Sequence, residues 1–390
     1  MKRRKDKNGL LLRKGERQLD NGRYQYRYTD PFGDRHSFNA STLDELRRME
    51  REEQRDREDG RSYAAGNITV IDLVKRYLRL KHCSRYNTQV NYNTITRIVE
   101  QERFGRRIIR DIKTSDAKEW FIDLQSRGFR YCTITNIRGV VKPAFDMAEE
   151  EEVIRRNPFR FKITEAIVND TVPRNALTPE QEAIWMGFIR SDPTYSKYYD
   201  EFVVLFHTGM RVSELCGLTK RDLDFKNRKI RVDHQLLRER RKDQNRYFVE
   251  STKTASGKRD LPMDDEVYAA LQRILANRPH VKTEMVLNGY SGFILIDKNN
   301  RPKVALHIEN EFRWAEAKYK KLHPDAPLPH ITPHVARHTY ATRQAQNGLN
   351  VKALQYLMGH SDADVTLNVY SHTSYEYAVA QIDQLKRKAE

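Results

Sequence analysis

The spacing of apolar residues changes along this chain, and that change constrains the fold more than any other feature. In Arg23-Tyr24-Gln25-Tyr26-Arg27-Tyr28 polar and aromatic residues alternate. A period of two places the three tyrosines on one face of a strand and Arg23, Gln25 and Arg27 on the other. From Val70 onward the rule is different. Val70, Leu73, Val74, Tyr77 and Leu78 recur at the i, i+3, i+4, i+7, i+8 spacing of an amphipathic helix. With 390 residues, the chain is long enough for two or three domains that each bury a core. The fold class is therefore multidomain α+β.

Residues 1–62 are expected to form a small three-stranded sheet and a helix. Asp30-Pro31-Phe32-Gly33 marks a turn, Arg35–Asn39 a second strand, and Leu10–Arg13 the third. Thr42 with Glu45 forms a capping box that opens a helix carrying Leu43, Leu46 and Met49. That helix would cover the tyrosines and leave a basic sheet face exposed, which on this segment alone fits either entry into a DNA major groove or an ordinary solvated surface. Residues 67–160 read as a helical unit, with further helices at Thr88–Glu102, Ser115–Ser126 and Thr133–Glu150. Lys75, Arg76 and Arg79 dot its surface, while Glu149–Glu152 is a solvated acidic run. Residues 161–176 read as a linker. The region 177–390 opens with Thr178-Pro179-Glu180, is mainly helical, and carries a β-rich insert at about 222–262.

The charge balance points to a polyanion. Lys and Arg number 71 against 54 Asp and Glu, a net charge of +17. The basic residues are spread along the whole chain, which favours nucleic acid over an anionic membrane. No basic amphipathic helix with a strong apolar face and no run of about 18 apolar residues is present. The basic N-terminus lacks the apolar stretch of a signal peptide. Cys83, Cys132 and Cys216 are scattered without CxxC spacing. They fit a reducing cytoplasm better than a disulfide framework or zinc site. No phosphate loop or dinucleotide fingerprint occurs, so no cofactor is expected. His334 and His338 have zinc-helix spacing, but Val335 stands where a catalytic glutamate would be, so no metal is expected either.

What remains is an ordered set of cationic and proton-transferring residues. Thr208-Gly209-Met210-Arg211-Val212-Ser213-Glu214-Leu215 is a turn entering a helix. Ser251-Thr252-Lys253-Thr254 lies in the β-rich insert. Thr332-Pro333-His334-Val335-Ala336-Arg337-His338-Thr339 opens a helix on which His334 and Arg337 share a face. Gly359-His360 ends another helix, and Asn368-Val369-Tyr370-Ser371-His372 follows.

In this order the motifs resemble the tyrosine recombinase (integrase) family of the phage lambda type, over the C-terminal half of the chain. The three-part layout is most similar to integrases of conjugative transposons, with an arm-binding domain and a helical core-binding domain ahead of the catalytic one. The resemblance implies a site-specific recombinase that acts through a 3′-phosphotyrosine, without metal or ATP. It implies Arg211, Lys253, His334, Arg337, His360 and Tyr370 as catalytic residues. Arg211 and Arg337 would grip the non-bridging oxygens, since guanidinium matches phosphate geometry bidentately. Tyr370 would attack, His334 accept its proton, Lys253 protonate the leaving 5′ oxygen, and His360 donate a hydrogen bond to the phosphate. Lys258 and Arg259 compete with Lys253 for the acid's place. Tyr375 and Tyr377 compete with Tyr370, because the gap from His360 is one residue longer than in many members. The extra residue falls in the Ser361–Asp364 turn. His338 reads as structural and Glu214 as support for Arg211.

The family further implies double-stranded DNA with core and arm sites, a homo-tetramer on DNA, an excisionase and a DNA-bending protein as partners. Two other readings share parts of this pattern: a type IB topoisomerase-like relaxing enzyme, and a DNA-binding regulator with a dead site.

Overall fold

The structure is a computed structural model that describes residues 4–29, 35–58, 68–82, 85–172, 175–239, 246–252, 255–297, 299–362 and 366–367. The chain divides into two compact units, Met1–Val172 and Pro173–Glu390. None of the described helices is long and apolar enough to cross a membrane.

The first unit holds two separate hydrophobic cores. In the smaller, strands β1 (Glu16–Gln18), β2 (Tyr24–Thr29) and β3 (Arg35–Ala40) form an antiparallel sheet in chain order. Helix α1 (Leu43–Glu58) closes its apolar face: Leu43 and Leu46 pack with Tyr24, Phe38 and, at the margin, Tyr26 and Tyr28. The expected alternation of tyrosines is therefore present. Thr42 Oγ1 accepts from the Glu45 amide at 3.2 Å, but the Glu45 carboxylate reaches back one residue further than a capping box predicts, to the Ser41 amide at 3.0 Å.

Two expectations for this sheet fail. The third strand is Glu16–Gln18, not Leu10–Arg13; Leu10 and Leu11 lie exposed. The anchor is a charge rather than an apolar run, because the fully buried Glu16 accepts from Arg47 of α1 at 3.0 Å. Nor does Gln25 sit exposed. It pairs with Arg17 across β1 and β2, and its Oε1 accepts from Arg17 Nε at 2.7 Å and Arg27 Nε at 2.8 Å. The two arginines cover it, leaving 8% of Gln25 exposed.

The larger core of this unit is built by α2 (Val70–Leu80), α3 (Tyr86–Gln101), α4 (Thr114–Ser126) and α5 (Tyr131–Glu150). Thr69 caps α2 by accepting from the Asp72 amide, and Gly128 turns the chain after α4 with φ +91°. Trp120 stacks on Phe104 at 4.3 Å, with Phe159 edge-on to both. Phe161, Ile163 and the buried Ile167 also pack here, so the stretch read as linker from 161 is still part of this core.

The second unit starts with α6 (Pro179–Ser191), capped by Thr178 and Gln181 in a reciprocal box. Then come α7 (Tyr199–Thr208), α8 (Val212–Gly217), strands β4 (Leu223–Asp224), β5 (Lys229–Val232), β6 (His234–Glu239), β7 (Arg246–Ser251) and β8 (Arg259–Pro262), and helices α9 (Asp265–Ala276), α10 (Ala305–Leu322), α11 (Pro333–Gln346) and α12 (Val351–Met358). The strands make an antiparallel sheet in the order β4-β5-β8 and a separate β6-β7 hairpin. Trp185, Phe202 and Phe312 centre the core, the last two stacked at 3.9 Å. Within it Lys303 donates to Glu201 at 2.6 Å and to Glu311 at 3.0 Å.

Candidate active site

Two helix ends and one helix start converge on the site. Gly209 ends α7 in the left-handed region at φ +62°, where a Cβ would lie 2.4 Å from the Tyr340 ring. Only glycine tolerates both the dihedral and the contact. The tight turn delivers Arg211 to the start of α8 with extended backbone. Gly359 ends α12 in the same conformation, at φ +61°, and presents His360. Arg337 sits one turn into α11, on the face that looks toward these two turns.

Arg211 is held by Glu214. The carboxylate accepts from the Arg211 amide at 2.8 Å and from Nη1 at 2.7 Å, while Arg211 Nη2 donates to the Gly359 carbonyl at 3.3 Å. Glu214 is itself buried and also accepts twice from Arg259, at 3.1 and 2.8 Å. Burial alone would raise the Glu214 carboxyl, but the Arg259 bond and the charges of Arg259 and Arg211 outweigh it and hold it at about 2. Arg259 is fully enclosed, with Nε donating to the Leu357 carbonyl at 2.6 Å. Of the two residues read as rivals to Lys253, Arg259 is thus a buried strut tying β8, α8 and α12. It has no open path to a leaving group.

Arg337 is 5% exposed. Its Nη1 donates to the Gly209 carbonyl at 2.6 Å, and its Nη2 to the Met358 carbonyl. Burial, then the positive charge of Arg211, lowers it to about 9. Nη2 also faces His360 Nε2 at 3.0 Å. A guanidinium only donates, so Nε2 accepts, and the ring proton sits on Nδ1, 3.0 Å from Thr366 Oγ1. Burial and the charges of Arg337 and Arg211 push His360 down to about 4, so the ring is neutral. The expected hydrogen bond from His360 to a phosphate is therefore not available in this arrangement, since Nε2 is already an acceptor.

His334 is exposed one turn before Arg337, its ring 5.7 Å from that of His338. His338 is half-buried and lowered by burial. Arg211, His334, Arg337 and His360 line one open cleft of about 760 Å³, which Arg313 and His330 also border. Four expected site residues are thus brought together. Lys253 and Tyr370 lie outside the described residues, as do Tyr375, Tyr377 and the end of the Ser361–Asp364 turn.

The expected DNA-binding residues lie in the first unit, where Arg23 and Arg27 are exposed and Gln25 is buried beneath Arg17 and Arg27. On α2, Lys75 pairs with Glu100 at 2.7 Å and Arg76 with Glu151 at 2.9 Å, while Arg79 has no such pair among the described residues.

Comparison with known proteins decides what this arrangement belongs to. Residues 175–377 match the model of the phage integrase family, and residues 1–63 match the DNA binding domain of Tn916 integrase. The chain belongs to the phage integrase family. This integrase is 39% identical to the transposase from transposon Tn916 of Enterococcus faecalis, over 99% of this chain and 97% of that protein. It is 24% identical to a XerC-like tyrosine recombinase of Caldanaerobacter subterraneus, over 91% and 94%. Among solved structures it is similar to the Tn1549 transposon integrase in complex with a circular intermediate DNA. That match has a TM-score of 0.76 and 40% identity, and it covers 81% of this chain and 99% of that one. A tyrosine-to-phenylalanine form of the same protein in complex with transposon right end DNA matches at 0.76 and 41%, over 82% and 100%. A lambda integrase dimer, at 16% identity and a TM-score of 0.54 over 79% and 97%, shares the fold. The integrase is thus a tyrosine recombinase of the mobile-element kind.

Proposed function

We propose that this integrase cuts and rejoins double-stranded DNA at the ends of its mobile element through a covalent bond to Tyr370. The observation that carries the reading is the convergence of Arg211, Arg337, His360 and His334 on one open cleft. Two guanidiniums fixed by backbone carbonyls and a buried carboxylate are preorganised cations, the arrangement that best stabilises charge developing on a pentavalent phosphorus. Each retains donors to turn toward non-bridging oxygens. Tyr370 attacks the phosphorus, the 5′ oxygen leaves with a proton from Lys253, and a 3′-phosphotyrosine results. A tyrosine hydroxyl ordinarily keeps its proton up to about pH 10, so a base must take the proton as Tyr370 attacks; His334, exposed at the cleft, takes it. A second strand's 5′ hydroxyl then reverses the step, which keeps the bond energy and needs no ATP.

The Tn1549 integrase was solved in complex with DNA, which supports duplex DNA as the partner here. Arg23 and Arg27 on the N-terminal sheet would contact arm sites, with Gln25 bracing Arg27. Lys75, Arg76 and Arg79 would contact core-site phosphates; the exposed pairs of the first two are weak enough to yield to a phosphate. The domain assignment follows: 1–62 for arm DNA, 67–160 for core DNA, and 177–390 for catalysis. Exchange of four strands calls for a tetramer on DNA, with an excisionase and a DNA-bending protein as further partners, all in the cytoplasm. Apolar Ala378, Val379, Ile382 and Leu385 at helical spacing would dock on a neighbouring copy. Deleting 378–390 should impair assembly on DNA in sedimentation, and unchanged tetramer formation would refute that docking. The reading itself is tested by adding the integrase to a nicked duplex carrying the joined element ends: a covalent adduct forms, or the reading fails.

A further inference from the structure

His360 has both ring nitrogens engaged: Nε2 by Arg337 at 3.0 Å, Nδ1 by Thr366 at 3.0 Å. Thr366 is fully buried, a hydroxyl with 0% exposure. Enclosing a hydroxyl without a partner is costly, so a threonine here is justified by what its Oγ1 bonds. Unlike a carboxylate, carbonyl or amide N–H, a hydroxyl both accepts and donates. It can therefore serve either tautomer of the ring beside it. Arg337 cannot, because it only donates and so demands a bare Nε2.

These facts meet in the chemistry proposed for the cleft. In this structure Arg337 Nη2 points a donor at His360 Nε2. An incoming phosphate oxygen competes for that donor. Once the guanidinium turns to it, Nε2 faces an acceptor and must carry a proton to be useful. The ring then needs an acceptor at Nδ1 no longer, but a donor.

We propose that Thr366 is a positioning residue that sets the tautomer of His360: its hydroxyl accepts from Nδ1–H in the DNA-free chain and donates to bare Nδ1 when Nε2–H turns to the phosphate. The ring loses one proton at Nδ1 and gains one at Nε2 through cleft water, so its charge does not change. Thr366 thereby reconciles the acceptor role that Arg337 imposes on Nε2 with a donor role during cleavage. It also lies four residues before Tyr370 in the chain, so one short segment carries both the tautomer control and the nucleophile. The inference rests on the strand-cleavage reading, which it deepens.

The tautomer is read directly by two-bond nitrogen–proton NMR on the full chain with 15N-labelled histidine, His360 being assigned by its loss in His360→Asn. The free chain should show the proton on Nδ1. Tyr370→Phe bound to a duplex carrying the joined element ends should show it on Nε2. Nε2–H in the free chain, or no change on binding, overturns the proposal, and neither result depends on cleavage. Kinetically, Thr366→Val should slow single-turnover adduct formation on the nicked duplex by 10-fold or more, with DNA affinity unchanged, and Thr366→Ser should stay within 3-fold. In a His360→Asn background Thr366→Val should add nothing, because the two act as one unit. Equal loss in both backgrounds would mean that Thr366 acts through packing alone and would overturn it. If wild type forms no adduct, the cleavage reading fails while the NMR result still judges the tautomer claim.

Discussion

Arg211 owes its orientation to Glu214, and Glu214 owes its charge to Arg259. This chain of dependence predicts an asymmetry between two substitutions. Arg259→Ala leaves a buried carboxylate short of its main partner and should cost about 3–5 kcal/mol in a denaturant titration. Glu214→Gln keeps the shape and removes the charge, so it should fold but slow adduct formation by 10-fold or more as Arg211 loses its anchor. The same carboxylate gives an acid dependence. Its folded pKa, about 2, lies below the ordinary glutamate value of 4.5, so the unfolded state binds more protons between the two. Its contribution is full above about pH 4.5 and disappears as pH falls toward 2, and Tm measured over that window should fall more steeply in wild type than in Glu214→Gln. At this scale the sequence singled out Arg211, His334, Arg337 and His360, which the structure brings to one cleft, because their order along the chain carries the pattern. It did not reveal Arg259 as a strut, Gln25 as a buried brace or Thr366 at all. Their meaning lies in partners that only folding brings near, such as Arg259 with Leu357, 98 positions away.

Helices and turns were the most legible elements, since capping residues and glycines act locally. Thr178 before Pro179 stands where the structure uses it, and the helix expected from Val70 begins there. The strand at Glu16–Gln18 was not legible, because a buried Glu16–Arg47 pair anchors it and no apolar alternation announces it. Gly209 gives the sharpest test of an element. Gly209→Ala adds a methyl 2.4 Å from the Tyr340 ring at φ +62°, and should lower stability by about 2 kcal/mol or more while misplacing the carbonyl that holds Arg337. Across the core of the second unit, Lys303 bridges Glu201 and Glu311, whose carboxyl burial raises to about 8. Lys303→Met should therefore destabilise by about 3–5 kcal/mol, as it leaves two buried carboxyls without their cation. Glu311→Gln should be milder, since it keeps an acceptor for Lys303 and leaves the Lys303–Glu201 pair in place. Both are read from urea midpoints.

For the whole molecule, a net charge of +17 and a cleft bordered by Arg211, Arg313 and Arg337 should make affinity for DNA mainly a phosphate matter. If six or more phosphates are neutralised, raising salt from about 50 to about 200 mM should weaken duplex binding by about 1000-fold or more, measured by anisotropy. A nearly flat salt response would mean that the basic residues serve another end. The change from period two to period 3.6 foretold more than one core, and the described residues form two in the first unit and two in the second. Where the first unit ends was less legible, because Phe161, Ile163 and Ile167 sit in a polar stretch and only their packing assigns them to the helical core. The central claim, that one tyrosine carries the broken strand, is tested most directly by trapping the covalent complex on a nicked duplex with the joined element ends and sequencing the DNA-linked peptide. The account predicts a single linkage at Tyr370 and none in Tyr370→Phe, which should still bind the duplex. Linkage at Tyr375 or Tyr377, or an adduct that persists in Tyr370→Phe, would contradict it.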